Sequence, residues 1–331
     1  MLNSNAQLNP KLLDKDIEML PTRDGYGKGL VKAGERDPRV VVLCADLAES
    51  TRSHWFQEKF PDRYIELGVA EQNMATVAAG LANYGKIPFI SSYAAFSPGR
   101  NNEQIRTTIC INNVPVKIGG AHAGVSVGPD GATHQALEDA GLMRMLPRMT
   151  VLIPCDAIEA EKATLAAAEL PGPVYIRFGR EKSPIITTQE TPFSVGRAEI
   201  FRDGKNATIV AAGMLLYNAL MAAEELSREG IEIRVINNHT LKPMDTETVI
   251  AAAKETGAIV TVEEHQIHGG LGSAVAEIVT QNHPVPMEFI GVKDRFGESG
   301  EPFELIEKFG LGTESIKEAV RKVLRRKKIA S

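Results

Sequence analysis

Cysteine is scarce in this chain, and its three cysteines are spaced in a way that excludes most structural uses of the residue. Cys44, Cys110 and Cys155 lie far apart, and no two of them form a C-x-x-C pair. Disulfide scaffolds and structural zinc sites need clustered cysteines, so we expect neither here. Each cysteine lies within an apolar stretch, where a thiol packs as a small buried side chain.

Long apolar runs and an excess of positive charge are also lacking. No run approaches the roughly 18 apolar residues that a membrane-spanning helix needs, and the N-terminus has no basic-then-apolar signal pattern. Lysine and arginine number 37 against 42 aspartates and glutamates, which gives a formal net charge of −5. We therefore expect a cytoplasmic protein that binds neither membranes nor nucleic acid, although a few placed cations can still hold a small phosphorylated metabolite.

What the sequence does contain is a regular alternation of strand and helix patterns. The continuous apolar run at 40–45 is typical of a parallel strand covered on both faces, and it ends at Asp46. Thr22 is predicted to cap the helix before this strand. Further strands are predicted near 64–67, 87–91, 114–119, 150–153 and 174–177, with helices at 71–84, 98–111 and from 156. This order predicts one open α/β sheet.

A polar stretch at 183–193, which has no apolar periodicity, divides the chain. Beyond it the alternation starts again and ends in a basic helix, so the fold class is α/β, with two consecutive open, mostly parallel sheets and helices on both faces. Strands are predicted at 207–211, 231–236, 258–262 and 287–290, and helices at 215–228, 245–255 and 270–279. The predicted boundaries are an N-terminal arm at 1–20, a first domain at 21–182, a linker at 183–193 and a second domain at 194–331.

Glu71 stands out because it lies in the first turn of a helix, directly after a strand. The rest of that helix is rich in small residues and nearly uncharged, so we expect it to be buried. A glutamate there is either a helix-dipole carboxylate or, if buried with a compensating partner, a functional group. The sequence leaves both interpretations open.

The glycine-rich loop at 119–135 brings His122, Asp130 and His134 to the carboxyl end of a predicted strand. Ligands bind at that edge of parallel sheets, and histidine can donate to phosphate or hydroxyl oxygens and move protons near neutral pH. The spacing of the two histidines is not a zinc-binding spacing, and we predict no metal site on this chain.

Other polar and aromatic residues follow strands at the same predicted edge. Tyr93 and Phe96 are either core residues or a stacking surface for a planar ligand. Arginines and serines after two other strands are candidate phosphate ligands, namely Ser50, Arg52, Ser53, Arg177 and Arg180. The segment E-E-H-Q-I-H-G-G at 263–270 is interpreted as a strand end and helix start at a subunit contact.

The segments GVAEQNMATVAAGLA at 68–82 and GPDGATHQ at 128–135, with the aromatic segment between them, resemble the thiamine diphosphate enzymes of the transketolase family. The resemblance runs from about residue 21 to the last helix. It implies a pyrimidine-binding domain followed by the C-terminal domain of that family.

The resemblance implies four residues on the cofactor side of the site. Glu71 would be the catalytic carboxylate that faces the pyrimidine ring nitrogen of thiamine diphosphate, whose chemistry depends on protonation there. Tyr93 and Phe96 would line the pyrimidine ring, and Asp46 would lie near the cofactor.

It also implies a set of substrate-binding residues suited to a sugar phosphate. Arginine, hydroxyl and imidazole donors would surround the phosphate, while an aspartate and a second, catalytic histidine would bind hydroxyls and the carbonyl near the reacting carbons. The phosphate ligands are Arg23, Ser50, His122 and Arg180, and the hydroxyl ligands are Asp130 and His134.

One family feature is missing, because the sequence has no G-D-G with a following asparagine to bind the cofactor diphosphate through Mg²⁺. This implies a split enzyme in which an N-terminal partner subunit carries the diphosphate and Mg²⁺ ligands. We expect a heterotetramer of two copies of each chain, with this chain inactive alone. The activity implied is a pentose phosphate pathway transketolase, which transfers a two-carbon ketol unit between sugar phosphates.

Several alternatives remain open at this point. A 1-deoxyxylulose-5-phosphate synthase shares the A-E-Q and D-G-x-T-H elements but tends to carry aspartate where this chain has His122. The beta subunits of 2-oxo acid dehydrogenases are split in the same way but lack the D-G-x-T-H-Q loop. A transketolase for an unusual ketose phosphate and a non-catalytic binding subunit are the others.

Overall fold

The computed structural model describes residues 1–330 and contains two open α/β sheets and one two-stranded ribbon. The strands are β1 Met19–Pro21, β2 Val40–Cys44, β3 Tyr64–Glu66, β4 Ile87–Tyr93, β5 Lys117–Ala121, β6 Thr150–Leu152, β7 Val174–Arg177, β8 Lys182–Pro184, β9 Glu199–Arg202, β10 Ala207–Ala211, β11 Ile233–Asn237, β12 Thr240–Lys242, β13 Ile259–Gln266 and β14 Met287–Val292.

The helices alternate with these strands. They are α1 Thr22–Arg36, α2 Ala48–Thr51, α3 Ser53–Lys59, α4 Glu71–Asn83, α5 Asn102–Gln104, α6 Asp139–Met145, α7 Ala157–Glu169, α8 Leu216–Arg228, α9 Thr246–Thr256, α10 Leu271–Asn282, α11 Pro302–Lys308 and α12 Thr313–Ala330. None of the helices within residues 1–330 is long and apolar enough to cross a membrane.

The first sheet has the strand order β12-β6-β7-β5-β4-β2-β3, and every pairing except that of β12 is parallel. All residues of β2, β5 and β7 are buried, as the continuous apolar run at 40–45 predicts for a strand covered on both faces. Burying one such aliphatic side chain stabilises the fold by roughly 1.5–3 kcal/mol. The carboxyl ends of these parallel strands meet at one edge, and this edge carries the site described below.

The second sheet has the order β14-β13-β10-β11-β9, with β9 antiparallel at its edge. Helix α12 packs on this sheet through Ile316, Val320 and Val323, which are buried. The prediction of an α/β fold with two mostly parallel sheets is thus confirmed, although β9 and β12 were not predicted. Strand β12 leaves the second half of the chain and pairs with β6 of the first sheet, where Thr240 lies opposite Leu152.

The two polar stretches predicted to lie outside the sheets are both folded onto them. In the N-terminal arm, Leu12 is buried and the Asn3 backbone N–H donates to Phe201 O at 2.9 Å. In the predicted linker, Ser183 and Pro184 belong to β8, which pairs with β1. The carboxylate of Asp156 then accepts the backbone N–H groups of Ile186 and Thr187 at 2.8 and 2.6 Å.

Two local predictions are wrong. Thr22 is not an N-cap, because Pro21 occupies that position and the Thr22 hydroxyl instead accepts the Gly179 N–H at 2.7 Å. The helix predicted over 98–111 begins only at Asn102, and its second part, Ile105–Cys110, is a π-helix. The chain before Asn102 makes turns that bring Arg100 and Asn101 back to Glu71.

Candidate active site

Three neighbouring strands of the first sheet end at predicted site residues. Strand β4 lies between β2 and β5, and Asp46, Tyr93 and His122 lie at or just after the ends of these strands. Asp46 and His122 have φ angles of 58° and 54°, in the left-handed region that costs energy for residues other than glycine. Such strain persists where the surrounding structure enforces it, as it often does at functional sites.

Glu66 holds Asp46 in this conformation. One oxygen of its carboxylate accepts the backbone N–H groups of Asp46 and Gly68, both at 2.8 Å, and the other accepts the Tyr64 hydroxyl at 2.8 Å. A single side chain therefore joins the loop after β2 to the turn that leads to Glu71. Sequence reasoning missed Glu66, because a polar residue at the end of a strand gives no distinguishing signal.

Glu71 is the first residue of α4 and is 1% exposed. Its Oε2 accepts a hydrogen bond from Arg100 Nη1 at 2.8 Å, and its backbone carbonyl accepts one from Asn101 Nδ2 at 3.1 Å. Its Oε1 is buried and has no hydrogen-bond partner among the described residues. The carboxylate is thus paired on one side and open on the other.

The helix that carries Glu71 is buried on one face only, which corrects the prediction that the whole helix is buried. Met74, Ala75 and Ala78 pack in the core, whereas Gln72 and Thr76 are exposed.

Aromatic and imidazole rings form a continuous cluster beside this carboxylate. Tyr93 stacks on His122 with ring centroids 3.9 Å apart, and the His134 ring forms T-shaped pairs with Phe96 and Tyr93, with ring centroids 5.3 and 5.8 Å apart. The Arg100 guanidinium lies 4.6 Å from the Phe96 ring centre, so the cluster extends to Glu71. The structure therefore brings together Glu71, Tyr93, Phe96, His122 and His134.

His122 is 2% exposed, and its Nδ1 has no hydrogen-bond partner among the described residues. Burial, reinforced by the positive charges of Arg23 and Arg180, lowers the pKa of His122 to about 3. This imidazole is therefore neutral at physiological pH, and it can donate a hydrogen bond without adding charge.

A second group of residues forms an arginine cluster next to His122. Arg23, in the first turn of α1, donates from Nη1 to Ser50 O at 3.2 Å, and the Ser50 hydroxyl accepts the Tyr93 hydroxyl at 3.1 Å. Burial and the neighbouring Arg52 lower the pKa of Arg23. Within the described residues Arg23 has no carboxylate in ion-pair distance and its Nε has no partner, so this guanidinium suits an anionic ligand.

Arg180 and Asp130 form another part of this cluster. Arg180 Nη1 donates to Val127 O at 2.9 Å and lies 3.9 Å from a carboxylate oxygen of Asp130. The loop that carries Asp130 is fixed by Gln135, whose side-chain amide donates to Val125 O and Gly128 O at 3.1 and 3.2 Å. The loop that carries Asp130 and the segment that carries Arg180, which are far apart in sequence, thus meet.

Two of the candidate phosphate ligands do not belong to the arginine cluster. Arg177 is buried and pairs with Asp139 at 2.9 Å, and it also donates to Glu264 O at 2.8 Å. Ser53 is buried and shares a hydrogen bond with Thr51 at 2.9 Å. Both residues serve the interior of the fold.

The segment at 263–270 also has internal partners. Glu263 accepts the backbone N–H groups of Leu271 and Gly272, the first residues of α10, and Glu264 accepts that of Ser126 at 2.6 Å. His265 accepts the Gly141 N–H at 3.2 Å. These contacts join the second sheet to the first, so this segment contributes to the packing of the two halves.

No group of three or more histidine, cysteine, aspartate or glutamate side chains in residues 1–330 is positioned to hold a metal ion. Arg100 is a further functional candidate that sequence reasoning missed, because it lies 29 positions from Glu71 within a segment that was predicted to be helical.

Comparison with known proteins identifies two family domains in this chain. Residues 18–185 match the transketolase pyrimidine binding domain, and residues 196–316 match the transketolase C-terminal domain. A solved structure described as a split gene transketolase, an inactive beta4 tetramer, is similar to this chain with a TM-score of 0.87 and 46% identity, covering 93% of this chain and 99% of that one.

Similar proteins fall into two length classes. The chain is 42% identical to the 6-deoxy-6-sulfo-D-fructose transketolase subunit SqwH of Clostridium sp. strain MSTE9, covering 92% of this chain and 95% of that protein. It is 41% identical to a putative transketolase C-terminal section of Methanocaldococcus jannaschii, with 92% and 96% covered. Human transketolase is 38% identical over 92% of this chain, which spans 49% of the human protein. The chain therefore belongs to the transketolase family, of which it comprises the pyrimidine-binding and C-terminal domains.

Proposed function

We propose that this chain is the C-terminal subunit of a two-chain transketolase that uses thiamine diphosphate to transfer a two-carbon ketol unit from a ketose phosphate to an aldose phosphate. The observation that carries the proposal is the buried Glu71 carboxylate, which is paired through one oxygen and open through the other, beside an aromatic cluster and an arginine cluster. A site with these three parts suits a cofactor ring and an anionic sugar.

The residues present fit the pyrimidine end of thiamine diphosphate. The unpartnered Glu71 Oε1 needs a donor, because a buried acceptor without one costs free energy, and a protonated ring nitrogen supplies it. Tyr93 and Phe96 would line the ring, and Asp46 would lie near the cofactor. When bound, the cofactor supplies the carbanion chemistry of ketol transfer.

The arginine cluster would hold the terminal anion of the sugar. Arg23 and Arg180 would donate to a tetrahedral oxyanion with Ser50, and neutral His122 would add a hydrogen bond without adding charge. Asp130 and His134 would bind hydroxyls and the carbonyl nearer the reacting carbons, and His134 would move a proton there. A sulfonate has the same tetrahedral shape as a phosphate, and the relative SqwH is named for a sulfosugar.

The partner is proposed on the same grounds. No metal cluster lies within residues 1–330, so the Mg²⁺ and diphosphate ligands would come from an N-terminal subunit. Similar proteins of the same length are named as a transketolase subunit and as a C-terminal section, and the similar solved tetramer is described as inactive. We infer a complex with two copies of each chain and no turnover by this chain alone.

The test begins with recovery of the tagged chain from its source lysate in thiamine diphosphate and Mg²⁺, followed by native mass spectrometry. A complex with two copies of this chain and two of a chain containing G-D-G is the expected result. That complex is then assayed with a ketose phosphate donor and an aldose phosphate acceptor, and in parallel with a 6-sulfo ketose, next to this chain alone.

Each other outcome supports a different function for this chain. Ketol transfer by the chain alone contradicts the two-chain proposal. Consumption of pyruvate by the complex, with release of carbon dioxide and no ketol transfer, favours a deoxyxylulose-phosphate synthase or a 2-oxo acid dehydrogenase. A folded chain that retains no cofactor in any complex favours a non-catalytic binding subunit.

A further inference from the structure

Arg100 connects Glu71 to the aromatic cluster of the proposed site, although no sequence motif singles it out. It lies in the turn between β4 and α5, where its backbone N–H donates to Phe96 O at 2.9 Å. Its side chain is 47% exposed, yet Nη1 reaches the buried Oε2 of Glu71 at 2.8 Å. The guanidinium thus bridges solvent and a carboxylate in the interior.

Two contacts fix the direction from which Arg100 approaches Glu71. Its guanidinium lies over Phe96 at 4.6 Å from the ring centre, and Phe96 in turn meets the edge of His134 at 5.3 Å. The next residue, Asn101, is buried and donates from Nδ2 both to Glu71 O and to Ser97 Oγ, each at 3.1 Å. The side chains of Arg100 and Asn101 therefore both anchor this turn to the first turn of α4.

The two oxygens of the Glu71 carboxylate have different roles in this arrangement. A charge-assisted hydrogen bond from a guanidinium to one carboxylate oxygen is strong and fixes the rotation of the group. Oε2 is used in this way, which leaves Oε1 as the free acceptor. A planar guanidinium can stack on an aromatic ring while it donates, whereas an ammonium has no planar face to stack.

We propose that Arg100 is a positioning residue for Glu71: it fixes the rotation of the carboxylate so that Oε1 faces the pyrimidine ring of thiamine diphosphate. This inference rests on the proposed function. It assigns to Arg100 a role in cofactor binding that depends on Glu71 and on the charge and shape of an arginine at this position.

The test measures the affinity of the two-chain complex for thiamine diphosphate, by titration, in wild type and in Arg100→Gln, Arg100→Lys and Arg106→Gln. Arg106 is an exposed arginine on the following π-helix, so its variant is the matched control. We expect Arg100→Gln to weaken binding by roughly 10- to 100-fold, because the carboxylate loses the charged donor that fixes its rotation. Arg100→Lys should recover part of the affinity, and Arg106→Gln should match wild type.

A double-mutant cycle shows whether Arg100 acts through Glu71. In a Glu71→Gln complex, the further change Arg100→Gln should alter the affinity less than about threefold. An equal loss in both backgrounds overturns the proposal, as does wild-type affinity in Arg100→Gln. Thermal unfolding of each variant shows whether a loss of affinity is caused by misfolding. If Arg100→Gln is misfolded, the affinity of Arg100→Lys, which keeps the charge, tests the proposal instead. A wild-type complex that binds no thiamine diphosphate overturns the proposed function itself and is thus distinguishable from failure of the role of Arg100.

Discussion

Glu71 and Arg100 form an ion pair, 2.8 Å from Oε2 to Nη1, in which the carboxylate is almost fully buried and the guanidinium is nearly half exposed. The carboxylate keeps its second oxygen unpaired in the interior. A buried acceptor without a donor costs free energy, so a donor on a bound ligand would stabilise the Oε1 atom that has no partner among the described residues.

Replacing Glu71 by glutamine should lower kcat of the assembled complex by roughly 100- to 10,000-fold, the range expected when a proton-transfer group is lost. Assembly should be unchanged, because glutamine has the same shape. Steady-state ketol transfer measures the first effect and native mass spectrometry the second. Glu103→Gln, on the exposed face of α5, is the control, and wild-type turnover in Glu71→Gln would support a non-catalytic subunit.

Replacing Arg23 by glutamine should raise KM for phosphorylated substrates by about 10- to 100-fold, since a charge-assisted hydrogen bond to the anion is lost. The KM for an uncharged short aldose should stay at the wild-type value. Arg36→Gln, at the exposed end of the same helix, provides the control. Equal losses for charged and uncharged acceptors would show that Arg23 does not bind the anion.

His122 should remain neutral across the physiological range, because its pKa lies at about 3. Among the seven histidines, the ring signal that disappears from the NMR spectrum in His122→Gln should show no titration between about pH 5 and 8. Because the folded-state pKa is below the usual 6.5, His122 should make the fold less stable as pH falls from 6.5 towards 3. A ring that titrates near neutrality would contradict both statements.

The buried Lys117 side chain predicts a second pH dependence of the free energy of unfolding. It starts β5, is fully buried and donates to Leu170 O and Gly172 O at 2.6 and 2.7 Å. Burial lowers its pKa from 10.5 to about 7, so between these values the unfolded chain binds a proton that the folded chain does not.

The free energy of unfolding of wild type, relative to Lys117→Met, should therefore rise with pH from 7 to 10.5, by at most about 1.4 kcal/mol per pH unit. Denaturant unfolding at several pH values measures this difference, and Lys28→Met, at an exposed position on α1, should show no such slope. Parallel curves for wild type and Lys117→Met would show that the buried ammonium stays protonated.

The sequence predicts the sheets better than their edges. Continuous apolar runs, such as the one at 40–45, identify strands buried on both faces, because only those strands need apolar residues at every position. Strand β12 has three residues, Thr240, Leu241 and Lys242, and its partner β6 lies about 90 positions earlier. Local pattern contains no information about such a distant pairing.

The residues of the candidate site are likewise predictable only in part. Its motifs pointed to Glu71, His122 and His134 because these residues lie in unusual glycine-rich or small-residue segments. Arg100 and Glu66 act through single hydrogen bonds across the fold, and neither has a distinctive neighbourhood in sequence. Such supporting residues become visible only once the chain has folded.

Strand β12 also bears on how the chain acquires its structure during synthesis. The first sheet cannot cover the edge of β6 until residue 242 has left the ribosome, well after the other strands of that sheet have emerged. An uncovered strand edge is a template for pairing with other chains. At roughly 5–20 residues per second, several seconds pass between the emergence of β6 and that of β12, and during this time the nascent chain needs protection from its neighbours.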